Sequence, residues 1–86
     1  MPFYFKVYAK VTCGFCAKAL VLMDEMGFDH SLTLLDKAPD YYEDLKRDYE
    51  HETVPMIVKV ARPSGEEEFI GGYDDFCAWC AENFEG

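Results

Sequence analysis

Cys13-Gly14-Phe15-Cys16 stands between an aromatic, β-branched run, Phe3–Tyr8, and an apolar stretch, Ala17–Met23, that reads as a helix. A strand that hands over to a helix through two spaced thiols suits an α/β frame, and it is the layout of a thiol–disulfide redox site. The physical reason is that only the thiolate is a competent nucleophile, and a helix N-terminus supplies unpaired N–H groups and partial positive charge to stabilise it. A free cysteine, with a pKa near ~8.5, is only a few per cent ionised at neutral pH. Cys13, at or just before the first helical turn, is the expected nucleophile. Cys16, one turn further on the same face, is the expected resolving thiol and the partner of Cys13 in a redox-active disulfide. Buried filler, a structural disulfide and half of a zinc site are the competing readings. A zinc ribbon needs its second pair within roughly 12–20 residues, and Cys77 and Cys80 lie far beyond that. No metal site is expected.

Residues 1–86 read as one domain, too short for two cores. A chain of this size buries only about 60–65% of its extended surface, so it needs a dense core. Half of its residues are apolar and its aromatic content is high. The longest apolar stretch is far short of the ~20 residues that span a bilayer, and the first residues lack the features of a signal peptide. The cytoplasm, a reducing compartment, is therefore the expected location, where paired cysteines are more often catalytic than structural. A net charge of −9 with no offsetting basic stripe argues against nucleic acid as a partner. Acidic residues gather at Asp40–Glu52, Glu66–Glu68 and Asp74–Asp75. Lys6, Lys10 and Lys18 fall near the cysteine pair instead, where an anionic thiol substrate needs them.

Hydrophobic periodicity orders the remainder. Phe3–Tyr8 predicts a strand. Leu20, Met23 and Met26 predict a helix that stops at Gly27. Phe28–Leu35 predicts a second strand, and Pro39 to about Glu50 a polar helix with Tyr42, Leu45 and Tyr49 on one face. Val54–Val60 reads as a third strand, Arg62-Pro63-Ser64-Gly65 as a turn and Glu66–Ile70 as a fourth strand. A last helix runs from Asp74 to about Glu85. The expected fold is β-α-β-α-β-β-α, a four-stranded mixed sheet packed between helices, with the first two crossovers parallel and right-handed. Phe76, Cys80 and Phe84 share a face of the last helix, which makes Cys80 a core residue. His30 and His51 have no partner constellation and receive no role.

Three segments in order, Lys10-Val11-Thr12-Cys13-Gly14-Phe15-Cys16, Thr53-Val54-Pro55 and Gly71-Gly72-Tyr73-Asp74-Asp75, resemble the glutaredoxins, and the resemblance covers essentially the whole chain. It implies a thioredoxin-like fold and glutathione as co-substrate. It also implies that Pro55 is cis and faces the reactive cysteine, although only about one X–Pro bond in twenty is cis. The backbone of Val54 is then available to a bound peptide thiol in β fashion. Gly71-Gly72 would turn the chain so that N–H groups near Tyr73 and Asp74 hold a carboxylate and Asp74 pairs with the neighbouring ammonium. As a plain helix start, Asp74 is equally suited to an N-cap. Lys10 matches the family's lysine near the glycyl carboxylate, and Thr12 is a candidate cap. With Phe15, Thr53, Val54, Pro55, Gly72, Tyr73 and Asp74, Lys10 completes the implied glutathione site.

The chain departs from the family at one element. Glutaredoxins commonly carry glutamine or arginine on the helix before the TVP segment, and this helix offers Tyr41, Tyr42, Lys46 and Arg47, with Lys46 or Arg47 as substitutes. The resemblance implies a glutathione-dependent oxidoreductase that reduces glutathione mixed disulfides and protein disulfides, with ribonucleotide reductase among candidate partners, no membrane partner, and a monomer as the working state. Two alternatives stand beside it. Gly14-Phe15 resembles the cluster-handling CGFS type, which implies a carrier of a glutathione-ligated [2Fe–2S] cluster. A glutaredoxin-like donor recycled by thioredoxin reductase is the other.

Overall fold

The computed structural model describes residues 2–84. The first strand, β1, spans Phe3–Ala9 and alternates its side chains between the two faces of the sheet. Helix α1, Gly14–Met26, follows; its interior holds no glycine, proline or long β-branched run, and it stops at Gly27. There φ is +72°, a left-handed angle that glycine adopts at little cost, and the glycine N–H returns to the carbonyls of Met23 and Asp24. Strand β2 is His30–Leu34. Helix α2, Pro39–Tyr49, opens on proline with Asp40 in its first turn and closes with Lys46 and Arg47 in its last, charges that complement its dipole. Strand β3 is Met56–Ala61, strand β4 is Glu67–Gly71 and helix α3 is Tyr73–Phe84. The expected end of the last helix near Glu85 lies outside the described residues. No helix among the described residues is long and apolar enough to cross a membrane.

These strands form a sheet in the order β2-β1-β3-β4. β1 and β2 are parallel, whereas β3 runs antiparallel to both β1 and β4. The second expected parallel crossover is therefore corrected. β2 ends with Leu34 opposite Ala9, and β3 begins with Met56 opposite Tyr8, at the same end of the sheet. A strand entering at that end must run back. The hairpin after it forms as expected: Gly65 donates to the Ala61 carbonyl at 2.8 Å, and Arg62–Pro63 is a cis peptide.

Two buried apolar clusters lie on opposite faces of the one sheet. Phe5, Val7, Ala9 and Ile57 pack with Cys16, Ala19 and Met23 of α1 and Phe76 and Cys80 of α3. Its centre is aromatic: the Phe5 ring meets Phe76 at 5.2 Å, Phe28 at 5.3 Å and Trp79 at 5.3 Å between centroids, all tilted or edge-on. On the other face Tyr8, Met56, Val58 and Val60 meet Leu45 of α2 and Leu35, with Tyr42 and Tyr49 at the margin. Burial holds the Tyr8 hydroxyl above its ordinary range, and Tyr41 adds to the effect. Cys80 is a core residue as expected, but Phe84 on the same helix is exposed. Glu66, Glu67 and Glu68 are exposed, and Glu67 accepts from Lys6 at 2.8 Å and from the Tyr49 hydroxyl at 3.1 Å. Lys6 is thus bound to β4 rather than lending its charge to the cysteine pair.

Candidate active site

The turn after β1 delivers Cys13 to the N-cap of α1 with extended backbone angles, φ −91° and ψ 112°. Its Sγ accepts the Cys16 N–H at 3.2 Å, so the sulfur occupies the place that a serine or aspartate oxygen takes in an ordinary cap. Thr12, a candidate for that cap, is exposed, and the capping atom is the sulfur of Cys13 itself. The turn is held from both sides: Cys13 N–H reaches the Lys10 carbonyl at 3.2 Å, and Val11 N–H is accepted by the Asp36 carboxylate at 3.1 Å. Asp36 lies just beyond β2, so the end of the neighbouring strand fixes the approach to the nucleophile.

The two thiols have unlike environments. Cys13 is half-buried, while Cys16 is 2% exposed and part of the core under α1. Burial pushes the Cys16 thiol up to about 12, and its hydrogen bond with Cys13 acts in the same direction. All four cysteines are free thiols. A protonated, buried sulfur one turn behind an accessible one is the arrangement that the resolving and attacking roles require. Cys77 is half-buried, and its side chain bonds to the Tyr73 hydroxyl, the main reason that hydroxyl is held above its usual range.

Opposite Cys13 lies the segment that precedes β3. The Val54–Pro55 bond is cis, and the Cys13 thiol donates to the Val54 carbonyl at 3.6 Å. The strand was expected to open at Val54. It opens at Met56, and Val54 and Pro55 stand outside the ladder, where a residue without an N–H removes no ladder bond. A groove runs past this segment, lined by Phe15, His51, Thr53, Val54, Pro55, Gly72, Tyr73, Asp74 and Asp75. Of the expected glutathione residues, seven of eight therefore share one concavity.

The floor of its far end is the start of α3. Gly71 has φ +123°, closed to other residues, and turns the chain into the helix. The Asp75 carboxylate reaches back to the Gly72 N–H at 3.0 Å, so Asp75, rather than Asp74, supplies the cap. Asp74 is left exposed at the second helical position. The first intrahelical bond joins Phe76 N–H to the Gly72 carbonyl at 3.0 Å, and the amides of Tyr73, Asp74 and Asp75 precede it. The Phe15 ring covers Tyr73 at 6.0 Å, and the Lys18 ammonium lies 5.3 Å from the centre of that Phe15 ring.

Lys10 stands apart from the groove lining. Its ammonium lies 4.5 Å from the centre of the Tyr42 ring, and the Lys46 ammonium lies 4.6 Å from the same ring. Two cations on one aromatic ring form a positive pair on the α2 side of the cysteine turn. Arg47 points elsewhere, to Asp44 at 2.9 Å and Asp48 at 3.8 Å. Of the two expected substitutes, Lys46 is the one beside Lys10. Lys46 also pairs with Glu43 at 2.8 Å, which raises its pKa.

Sequence reasoning passed over His51, Asp75 as a cap, and Tyr42 as the platform for the lysines. Asp75 was legible as an acid at the third position after Gly72. His51 carried a weaker signal, its place two residues before Thr53. No group of three or more histidine, cysteine or acidic side chains among the described residues is placed to hold a metal ion.

A family model described as glutaredoxin matches residues 5–60. Among solved structures, the dithiolic glutaredoxin of Trypanosoma brucei brucei is 31% identical over 91% of this chain and 77% of its own, with a TM-score of 0.73. A buckwheat glutaredoxin, solved as its glutathione complex, is 24% identical with a TM-score of 0.76, over 93% of this chain and 70% of that one. Glutaredoxin 1 of Francisella tularensis, complexed with cacodylate, covers 98% of this chain and 99% of its own at 19% identity, with a TM-score of 0.72. Among curated proteins no match is found. The thioredoxin-like sheet, the cysteine pair at the start of α1 and the match over most of the chain lead to one conclusion: this protein belongs to the glutaredoxin family.

Proposed function

We propose that the chain is a glutathione-dependent thiol–disulfide oxidoreductase. The observation that carries this reading is the Cys13 sulfur itself, which accepts a helix-N-terminal N–H and faces the Val54 carbonyl at the mouth of the groove. In the first step the Cys13 thiolate attacks the glutathione sulfur of a mixed disulfide. The substrate–glutathione S–S bond breaks, a Cys13–glutathione bond forms, and the substrate thiolate leaves and takes up a proton. A second glutathione thiolate attacks the Cys13-bound sulfur, releasing glutathione disulfide and restoring Cys13. The thiol proton that Cys13 gives to the Val54 carbonyl in the resting state is lost on ionisation, which frees that carbonyl for a substrate N–H.

Protein disulfides take a second route. Cys13 attacks one substrate sulfur, and Cys16, tethered within a turn, loses its proton and attacks Cys13, leaving a Cys13–Cys16 disulfide and a reduced substrate. The high value of the Cys16 thiol keeps it protonated until then. Glutathione in the groove would set its γ-glutamyl carboxylate against the amides of Tyr73 and Asp74 and its ammonium against Asp74. Its glycyl carboxylate would reach Lys10 and Lys46. The gathering of seven expected residues in one groove, and a structural neighbour solved as its glutathione complex, support this placement. Ribonucleotide reductase and other disulfide-bearing proteins are the proposed macromolecular substrates, the cytoplasm the proposed compartment, and a monomer the proposed working form.

Turnover of a glutathionylated peptide tests the reading. Cys13→Ser abolishes it and Cys16→Ser retains it, while both lose protein-disulfide reduction. Activity with thioredoxin reductase but not with glutathione and its reductase would refute glutathione dependence. A visible absorption spectrum of anaerobically purified protein would reveal a [2Fe–2S] carrier.

A further inference from the structure

His51 is a titratable side chain of the groove that the mechanism above does not use, and its position is built rather than incidental. Glu50 ends α2 in a left-handed conformation, φ 53°, which turns the chain so that the His51 N–H bonds to the Lys46 carbonyl at 3.1 Å. The imidazole stands edge-on to Phe69 of β4 at 5.3 Å, and Phe69 is stacked on Tyr49 of α2 at 4.7 Å. With the ring so held, Nε2 lies 3.4 Å from the Thr53 hydroxyl and 3.7 Å from where a Cβ on Gly72 would stand. That nitrogen faces the space between the Thr53-Val54-Pro55 segment and the start of α3. The acids around it are Asp74 and Asp75 across the groove and Glu52 beside it in the chain.

We infer that His51 is a specificity-determining residue of the glutamyl subsite: its Nε2–H donates to the α-carboxylate of a γ-glutamyl group whose ammonium pairs with Asp74. This rests on the glutathione reading above. The chemistry follows from the two walls. With Asp75 committed to the Gly72 N–H, the α3 side offers the Asp74 carboxylate and backbone amides, and the opposite wall offers one ring N–H donor. A zwitterionic amino-acid head, with both charges on one α-carbon, satisfies both walls at once, whereas an uncharged thiol satisfies neither. The passage is narrow: a Cβ at Gly72 would lie in ordinary contact with both the imidazole and the Pro55 carbonyl, at 3.7 and 3.8 Å.

The test compares three mixed disulfides of one peptide thiol: with glutathione, with 4-aminobutyryl-cysteinylglycine, which lacks only the α-carboxylate, and with cysteinylglycine, which lacks the whole γ-glutamyl group. KM and kcat are measured for wild type, His51→Phe and His51→Gln. Phenylalanine keeps the ring against Phe69, and glutamine keeps a donor of different reach. The expected result is a rise in KM for the glutathione substrate of roughly ten-fold in His51→Phe, the size of a lost charge-assisted hydrogen bond. KM for the two substrates without the α-carboxylate should not move. kcat should hold, since the ring contacts Thr53 and Phe69 rather than either sulfur. An equal rise for all three substrates would make His51 a packing residue and overturn the inference, as would no rise at all. If wild type does not distinguish glutathione from cysteinylglycine, the glutathione reading itself fails and takes this inference with it.

Discussion

Replacing Gly71 by alanine should damage the groove without touching a residue that contacts substrate, and the structure permits its cost to be worked out. The first part is conformational. A φ of +123° lies where an L-residue is strained, which costs about 1–3 kcal/mol. The second part is steric. A Cβ at Gly71 would stand 2.8 Å from Asp75 Cγ, so the carboxylate must swing away and release the Gly72 N–H it caps at 3.0 Å. Losing such a cap costs about 1 kcal/mol. The sum, about 2–4 kcal/mol, is a large share of the stability of a small domain and should lower Tm by about 10 °C or more. Denaturant unfolding of wild type, Gly71→Ala, Asp75→Ala and the double variant measures both parts. Because alanine at 71 already forfeits the cap, the double variant should cost about 1 kcal/mol less than the sum of the singles. Full additivity would refute the displacement of Asp75. A single-variant cost below about 0.5 kcal/mol, the range of ordinary surface changes, would refute the strain as well.

Two further predictions concern charges outside that turn. Lys46→Gln should raise KM for glutathione mixed disulfides several-fold, whereas Arg47→Gln should leave it unchanged, because only Lys46 shares the Tyr42 ring with Lys10; equal effects in steady-state assays would contradict the pairing. Glu67→Gln should cost under about 1 kcal/mol at neutral pH, as befits a solvent-exposed ion pair. The Lys6 ammonium, opposed by burial and aided by the Tyr49 hydroxyl, holds the Glu67 carboxyl below its ordinary range. Its stabilisation is therefore present above the usual carboxylate value and lost as pH falls through the depressed one. Urea midpoints of the two proteins should converge only as pH falls through that depressed value, and a gap that persists in more acid solution would contradict the assignment.

The element order and most boundaries were legible because they are local. Leu20, Met23 and Met26 share a helical face, Gly27 offers the left-handed stop, and Arg62-Pro63-Ser64-Gly65 spells the hairpin turn. The direction of β3 was not local. It depends on which end of the sheet Met56 reaches, and the residues of β3 are equally apolar in either direction. Cys13 and Cys16 were readable from spacing and context, whereas their unequal burial depended on how α1 packs over Phe5 and Phe76. Lys6 was misplaced for a related reason. Proximity in sequence put it near the cysteines, but strand alternation points it to the α2 face, where Glu67 waits. His51 carried only a weak local signal, beside Thr53, because its other neighbours, Phe69 and Gly72, come from β4 and its turn into α3.

Residue-resolved alkylation kinetics of the reduced protein across a pH series, read by peptide mass, test the central claim most directly: that the half-buried sulfur capping α1 is the nucleophile and the one behind it a protonated reserve. Near neutrality the modification should fall on Cys13 first, faster than on the same cysteine in the unfolded chain. Cys16, burial having pushed its thiol up to about 12, should stay unmodified until strongly alkaline pH. A Cys13 that reacts no faster than its unfolded counterpart, or a Cys16 that is labelled alongside it, would contradict the account.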